Sequence, residues 1–135
     1  MVEKRLTDGV RIAQLLSSEI SGDADRLRDL RVTDADPDVE ASVDGELAYR
    51  IVLDDPDGDE RAIAAVHVQP DRARVEFREA PDVAAEAATE AGLRVRPAAT
   101  QPPRTIVFLE DGAQVKWVLP VLSTVLESVR DSDDP

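Results

Sequence analysis

Turn signals divide most of this chain into short segments at the spacing of β-hairpins. Asp44-Gly45, the acidic run 55–59 and the stretch 69–72 separate consecutive segments, and Asp111-Gly112 separates a further pair. Short segments bounded by Asp-Gly and proline-containing turns are typical of antiparallel strands. The segments that could form strands are 30–33, 39–43, 46–54, 61–69, 72–79, 93–96, 104–110 and 113–119, of which about five to seven are expected in the sheet. No proline interrupts a periodic segment, which supports this division.

The hairpin built from 61–69 and 72–79 has one favoured register. Pairing Gln69 with Arg72 puts only apolar residues of both strands on one face. The other face then carries His67 beside Arg74, whereas a slip of one residue would mix the two faces. In the predicted hairpin around 111–112, the same reasoning puts Phe108 on the apolar face. The sequence therefore predicts a sheet with one apolar face and one mixed, arginine-bearing face.

Apolar residues recur at helical spacing in the segments 7–21 and 81–91, and in a third segment that begins at Pro120. The resulting fold class is α+β, with a mainly antiparallel sheet of about five to seven strands and two or three helices on its apolar face. The predicted order is α-β-β-β-β-α-β-β-β-α. We expect a single domain over residues 1–130 and a disordered acidic tail over 131–135.

The charge of the chain is large and uneven. Its 135 residues include 29 acids and 16 bases, which gives a net charge of −13. Asp exceeds Glu, Arg far exceeds Lys, and aromatic residues are 3% of the total, a combination typical of extremely halophilic proteins. There is no cysteine, which excludes disulfides, thiol catalysis and zinc-thiolate sites. No apolar run reaches the length of a membrane span, and the first residues lack the apolar core of a signal peptide, so we expect a cytoplasmic protein.

The segment 91–109 contains no acidic residue, although the chain as a whole is strongly acidic. Arginine side chains beside a loop stiffened by two prolines suit the recognition of carboxylate or phosphate groups. The candidate contact residues are Arg94, Arg96, Gln101 and Arg104, extended by Lys116 and Arg74. The alternative interpretation is that these arginines form structural ion pairs with the acids of 33–60, a segment with eleven acids and one base.

The sequence offers little support for catalysis, a metal or a cofactor. His67 is the only histidine, and the predicted hairpin places it beside Arg74 instead of a carboxylate. The acidic run 54–60 lacks the glycine and glutamate spacing of a calcium-binding EF-hand, so a hairpin turn is the better interpretation. No glycine-rich phosphate-binding motif is present. We therefore predict no catalytic residues, no metal site and no cofactor.

Two stretches, Leu93-Arg-Val-Arg-Pro97 and Gln101-Pro-Pro-Arg-Thr105, together with the composition, resemble small uncharacterised haloarchaeal proteins that carry a domain of unknown function. That resemblance implies no activity. Residues 73–130 also resemble the YjbR/MmcQ-like α+β domains associated with DNA binding, in which a strand, a helix, a hairpin and a C-terminal helix follow one another. The Asn-Lys and His-Trp signature of that family is absent here, so the resemblance assigns no site residue.

The leading hypothesis is a non-enzymatic binding domain whose contact surface is the arginine-bearing segment 91–109. Its partner would be a protein or an anionic ligand, with no membrane involved, and the chain would be a monomer or a weak homodimer. The first alternative is a nucleic-acid-associated regulator that uses the same arginines. A small hydrolase or transferase would require acids of 54–60 to lie near His67.

Overall fold

A computed structural model of the chain describes residues 7–23, 25–54 and 58–132. Within these ranges three helices and six strands follow one another. They are α1 (Gly9–Gly22), β1 (Leu30–Thr33), β2 (Glu46–Asp54), β3 (Glu60–Gln69), β4 (Arg72–Phe77), α2 (Pro81–Glu90), β5 (Arg94–Ala98), β6 (Arg104–Leu109) and α3 (Gln114–Ser132). The six strands form one antiparallel sheet in the order β1-β2-β3-β4-β6-β5. The predicted α+β fold class is confirmed.

The hairpin of β3 and β4 has the predicted register. Gln69 lies opposite Arg72, and His67 lies opposite Arg74. The strand residues Val66, Val68, Val75 and Phe77 are fully buried against the helices. Because opposite residues on paired strands share a face, the alternation of apolar and polar residues is enough to orient both strands.

The three helices cover one face of the sheet and close a single hydrophobic core. The buried Tyr49 of β2 donates its hydroxyl hydrogen to the carbonyl oxygen of Ala13 in α1, at 2.6 Å. The buried Thr105 of β6 donates in the same way to the carbonyl oxygen of Pro81 in α2. Helix α3 packs on α2 and α1, and its apolar stripe from Val115 onward is buried. These contacts place the whole helical layer on the apolar side of the sheet.

The predicted strand over 113–119 is wrong, because these residues lie almost entirely in α3. That helix begins at Gln114 and holds Pro120 in its interior instead of at its start. The backbone N–H of Gln114 donates to a side-chain oxygen of Asp111, so Asp111 caps a helix instead of opening a hairpin turn. The buried Val115, Val118 and Leu119 continue the helical stripe ahead of Pro120. The exposed position of the proline lets water reach the carbonyl group left without its helical donor.

The predicted strand over 39–43 is also wrong. This segment is a loop that follows a turn in which the N–H of Asp38 donates to the side chain of Asp36. Its residues Val39 and Ala41 pack against the core from outside the sheet. The strand beside β2 is instead β1. At the C-terminus, α3 extends to Ser132, and residues 133–135 lie outside the described ranges, as does part of the predicted turn at 55–59.

Candidate functional site

The sheet face opposite the helices, here called the open face, carries most of the candidate residues. None of the three described helices lies on it. The strand registers arrange its side chains in rows. From β3 to β5 one row reads His67, Arg74, Phe108 and Arg94. The next row, from β2 to β5, reads Arg50, Ala65, Glu76, Ile106 and Arg96.

The arginines on β1 and β2 each have acidic partners of their own. Arg31 donates to the carboxylate of Asp54 and also contacts Glu60. The Arg31 guanidinium holds the pKa of the Asp54 carboxyl below its usual value through this hydrogen bond. Arg50 lies 3.0 Å from the carboxylate of Asp34, measured from Nη1 to Oδ2. This side of the open face is therefore balanced in charge or slightly acidic.

The arginines on β4, β6 and β5 share fewer acidic partners. We define the arginine half of the open face as Arg72, Arg74, Arg94, Arg96 and Arg104 with their strands. The carboxylates in contact with these five side chains in the described ranges are those of Asp71, Glu76 and Glu110. Five guanidinium groups thus face three carboxylates, in a chain whose net charge is −13.

Glu76 is the centre of the arginine half. Its Oε1 lies 3.4 Å from Nη2 of Arg74, and its Oε2 lies 3.7 Å from Nη1 of Arg104 and 3.8 Å from Nδ1 of His67. A charge-assisted hydrogen bond from nitrogen to oxygen is usually about 2.7–2.9 Å long. One carboxylate therefore serves three basic side chains, and it holds none of them at the length of a strong charged pair.

Several basic nitrogen atoms of this cluster lack a hydrogen-bond partner. They are Nε of Arg74, Nε of Arg104 and Nδ1 of His67, each of which is buried. A buried polar group without a partner costs about 1–3 kcal/mol, more when charged. The exposed Arg96 makes no hydrogen bond or ion pair with any residue in the described ranges. The arginine half therefore has more guanidinium groups than carboxylates, and some of its nitrogen atoms have no hydrogen-bond partner.

The environment of His67 lowers the pKa of its imidazole. Burial is the largest cause, and the charges of Arg74, Arg104 and Arg50 act in the same direction, while Glu76 opposes them. His67 is therefore neutral at pH 7 and adds no positive charge to the cluster. The expectation that no carboxylate lies beside His67 is wrong, because Glu76 approaches it diagonally from the adjacent strand. In the predicted hairpin register, Glu76 and His67 already lie diagonally on one face, so this contact follows from the register.

Four of the six sequence-predicted contact residues come together on the open face: Arg74, Arg94, Arg96 and Arg104. The other two do not. Gln101 is exposed in the loop that joins β5 to β6, and Lys116 is exposed in the first turn of α3, in the helical layer.

Phe108 was expected on the apolar face and lies instead on the open face, between Arg74 and Arg94. The reason is that its partners come from β4 and β5, since the predicted hairpin around 111–112 does not form. The structure also does not show the alternative interpretation, in which Arg94 and Arg104 form ion pairs with the acids of 33–60. Arg104 contacts Glu76, and Arg94 contacts Glu110.

Two other places on the molecule are candidates for a binding or catalytic site. One is the acidic segment 54–60 with His67, and the other is a groove beside α1. Asp54 and Glu60 contact Arg31, and the carboxylate that lies near His67 in the described ranges is that of Glu76, which is outside the segment 54–60. A groove of about 300 Å³ lies between α1 and the loop 35–39. Its largest polar side chain at depth, Tyr49, already donates its hydroxyl to Ala13. Among the described residues, no group of three or more His, Asp or Glu side chains could hold a metal ion.

Comparison with known proteins gives a family and no activity. No curated protein and no solved structure matched the chain. Across the described residues, no helix combines the length and apolar character needed to cross a membrane. A family of unknown function matches residues 1–135, the full length of the sequence. On that match, the chain belongs to the family of unknown function DUF7993.

Proposed function

We propose that the arginine half of the open face binds anionic groups of a partner molecule, and that the protein is a non-enzymatic binding domain. The observation that carries this proposal is the sharing of Glu76 by Arg74, Arg104 and His67. A second anionic group beside Glu76 would pair with the exposed parts of the Arg74 and Arg104 guanidinium groups and relieve this sharing. Carboxylates and phosphates both fit the planar fork of a guanidinium group.

Burial makes this cluster more effective than an exposed patch of the same charge. The side chains of Arg74 and Glu76 are 19% and 13% exposed. Salt screens partly buried charges much less than charges in open solvent. Binding by Arg74 and Arg104 would therefore persist at salt concentrations that abolish long-range electrostatic attraction.

The proposal is tested by titrating the full chain with two simple anions, tripolyphosphate and citrate. The readout is the NMR signals of the arginine Nε–H groups, which report each guanidinium separately. We expect the signals of Arg74 and Arg104 to shift on binding, because an anion beside Glu76 would contact both guanidinium groups. Changing Arg96 and Arg104 together to Ala should leave the fold intact and weaken binding by about tenfold or more.

Arg11→Ala is the control for the loss of one positive charge and is matched to the single change Arg96→Ala, because it removes one guanidinium group from an exposed position on α1. We expect this variant to bind both anions as the natural sequence does. Equal weakening by Arg11→Ala, or the absence of any shift at Arg74 and Arg104, would contradict the proposal. If the double variant unfolds, the single change Arg96→Ala carries the test, since that exposed side chain has no partner among the described residues.

The second candidate function is association with single-stranded nucleic acid, and the position of Phe108 favours it. This half-buried ring lies between Arg74 and Arg94 on the open face. Nucleic-acid-binding sheets combine aromatic side chains that stack on bases with arginines that contact phosphates. This candidate predicts oligonucleotide binding near molar KCl that is lost in Phe108→Ala. Binding seen only at low salt would speak against it, because such binding is electrostatic and unspecific.

We further propose that the protein works in the cytoplasm of a haloarchaeon, at high salt. The support is compositional: a net charge of −13, an excess of Asp over Glu, and only two Lys beside fourteen Arg. In molar salt the Debye length is about 3 Å, so the mutual repulsion of surface carboxylates is screened. The dependence of folding on salt concentration tests this environment independently of any partner.

A further inference from the structure

The outer edge of β5 is the place where the arginine half meets unpaired backbone. In the sheet order β5 is a terminal strand, and β6 is its only strand neighbour among the described residues. The edge of a terminal strand presents free N–H and C=O groups that an extended peptide can pair with. Arg94 and Arg96 of this strand lie on the open face, and both are exposed.

A strand added at this edge would place alternate side chains directly beside Arg94 and Arg96. Opposite residues on neighbouring strands have Cβ atoms about 4.5–5.5 Å apart, and pairs of opposite charge stabilise the pairing. Arg96 has no partner among the described residues, and Arg94 is held only by Glu110 at 3.8 Å. Acidic residues at every second position of the added strand would satisfy both arginines.

The intervening positions of an added strand would face the helical side of the sheet. Val95 points to that side and packs against the core while remaining partly exposed. An apolar side chain beside Val95 would bury this remaining surface. The chemistry of the edge thus favours an extended segment in which acidic and apolar residues alternate.

The same edge disfavours pairing with a second copy of itself. An antiparallel pair of two β5 strands centred on Val95 would place Arg94 and Arg96 of one copy opposite Arg96 and Arg94 of the other. Like charges directly opposite destabilise a strand pair. Pro97, which has no N–H, further limits unselective pairing along this edge. The same arginines that repel a second copy would attract an acidic segment.

We propose that the partner of this protein presents an extended acidic segment that adds to the sheet beside β5. The proposal rests on the anion-binding function proposed above and specifies its partner. The added backbone pairs with the edge of β5, while its carboxylates pair with Arg94 and Arg96. The apolar residues between those carboxylates cover Val95.

The test uses a fluorescently labelled seven-residue peptide that alternates Glu and Val, titrated with the full chain and followed by anisotropy. A peptide of the same composition with its residues in blocks, and an alternating peptide with a fully N-methylated backbone, are the controls. We expect each control peptide to bind about tenfold more weakly or worse, because one loses the side-chain register and the other the backbone hydrogen bonds. Arg96→Ala should weaken binding of the alternating peptide by about tenfold, and Arg11→Ala should not change it.

Hydrogen exchange gives a second readout, since strand addition should slow exchange of β5 backbone amides when the peptide is bound. Equal binding of the N-methylated peptide would overturn strand addition while leaving anion binding at the arginine half intact. Binding of tripolyphosphate without binding of any peptide would likewise contradict strand addition and leave anion binding intact. Concentration-dependent dimers that Arg96→Ala strengthens, by removing a like charge from the strand pair, would show instead that a second copy occupies this edge.

Discussion

At the scale of single residues, the buried cations of the open face have a cost that the exposed ones do not. The exposed Arg31 and Arg50 have carboxylate partners at the sheet margin. Arg74 and Arg104 are more buried, share Glu76, and each keep a nitrogen atom without a partner. A half-satisfied polar network in a place of low dielectric is destabilising unless a ligand completes it. Such a network is therefore the most informative feature at this scale.

His67 makes this network sensitive to pH. Its folded-state pKa lies below the unfolded value of 6.5, so the unfolded chain binds more protons in the window just below that value. The contribution of His67 to stability is thus fully present above pH 6.5 and is lost as the pH falls through that window. We expect His67→Gln to reduce the loss of stability between about pH 7 and pH 5, as measured by urea unfolding.

The comparison with the natural sequence isolates His67 from the many carboxylates, which titrate in both proteins. Anion binding at the arginine half should also raise the pKa of His67, since a nearby negative charge favours the imidazolium form. An NMR titration of His67 with and without tripolyphosphate checks this direction. A pKa unchanged by the anion would place the bound anion away from this cluster.

Gly9 is a second residue whose role is set by its surroundings. A methyl group at this position would overlap the carbonyl oxygens of Gln69 and Arg72, which belong to the β3–β4 hairpin. Backbone atoms cannot move aside as a flexible side chain can, so Gly9→Ala must push α1 away from the sheet. We expect a loss of about 2 kcal/mol or more in the free energy of unfolding. Gly22→Ala, where nothing lies within 4 Å, is the matched control and should be neutral or slightly stabilising.

At the scale of elements, sequence reasoning succeeded where periodicity and turn chemistry agreed. The register of β3 and β4 followed from the alternation of apolar and polar residues alone. It failed at 113–119, where a Val-rich stretch between Asp111-Gly112 and Pro120 is compatible with either a strand or a helical turn. Only the continuation of the buried stripe into the later part of α3 decides between them.

Part of the arginine half could also be predicted from the sequence. The absence of acids from 91–109 predicts Arg94, Arg96 and Arg104 as contact residues, and the predicted hairpin register puts Arg74 on the arginine-bearing face. Strand order was not deducible, because β4 pairs with β6 across the intervening α2 and β5. Without that pairing, neither the position of Phe108 nor the contact of Arg104 with Glu76 could be derived from the sequence.

Pro120 provides a direct test of where α3 begins. In the interior of a helix a proline removes one backbone hydrogen bond and crowds the preceding turn, whereas at the first position it costs nothing. Because α3 begins at Gln114, Pro120→Ala should restore a bond to the carbonyl of Lys116 and raise the free energy of unfolding by about 1–2 kcal/mol. A neutral or destabilising effect in chemical denaturation would support a helix that begins at Pro120.

At the scale of the whole molecule, charge is distributed by region. The segment 33–60 has eleven acids and one base, and 61–109 has six acids and seven bases. The sheet topology separates the acidic and the basic segments in space, because β1 and β2 lie at one side of the sheet and β6 and β5 at the other. The open face thus carries an acidic margin and a basic margin. Repulsion at low salt should come mainly from the acidic margin and its loop.

This distribution predicts which carboxylates make folding depend on salt. Raising KCl from about 0.1 M to about 2 M shortens the Debye length from about 10 Å to below 3 Å, so the melting temperature of the natural sequence should rise. A variant with Asp38→Asn, Glu40→Gln, Asp44→Asn and Glu46→Gln removes four exposed charges that have no partner among the described residues. It should be more stable at low salt and gain less from added KCl.

The matched control exchanges Asp and Glu at the same four positions, which keeps every charge while changing every side chain. We expect it to follow the natural sequence at all salt concentrations, because repulsion depends on charge and not on side-chain length. If both variants gain equally from KCl, salt must act through the burial of apolar surface instead, since salts also strengthen that term. In that case the acidity of 33–60 would have no bearing on the environment in which the protein folds.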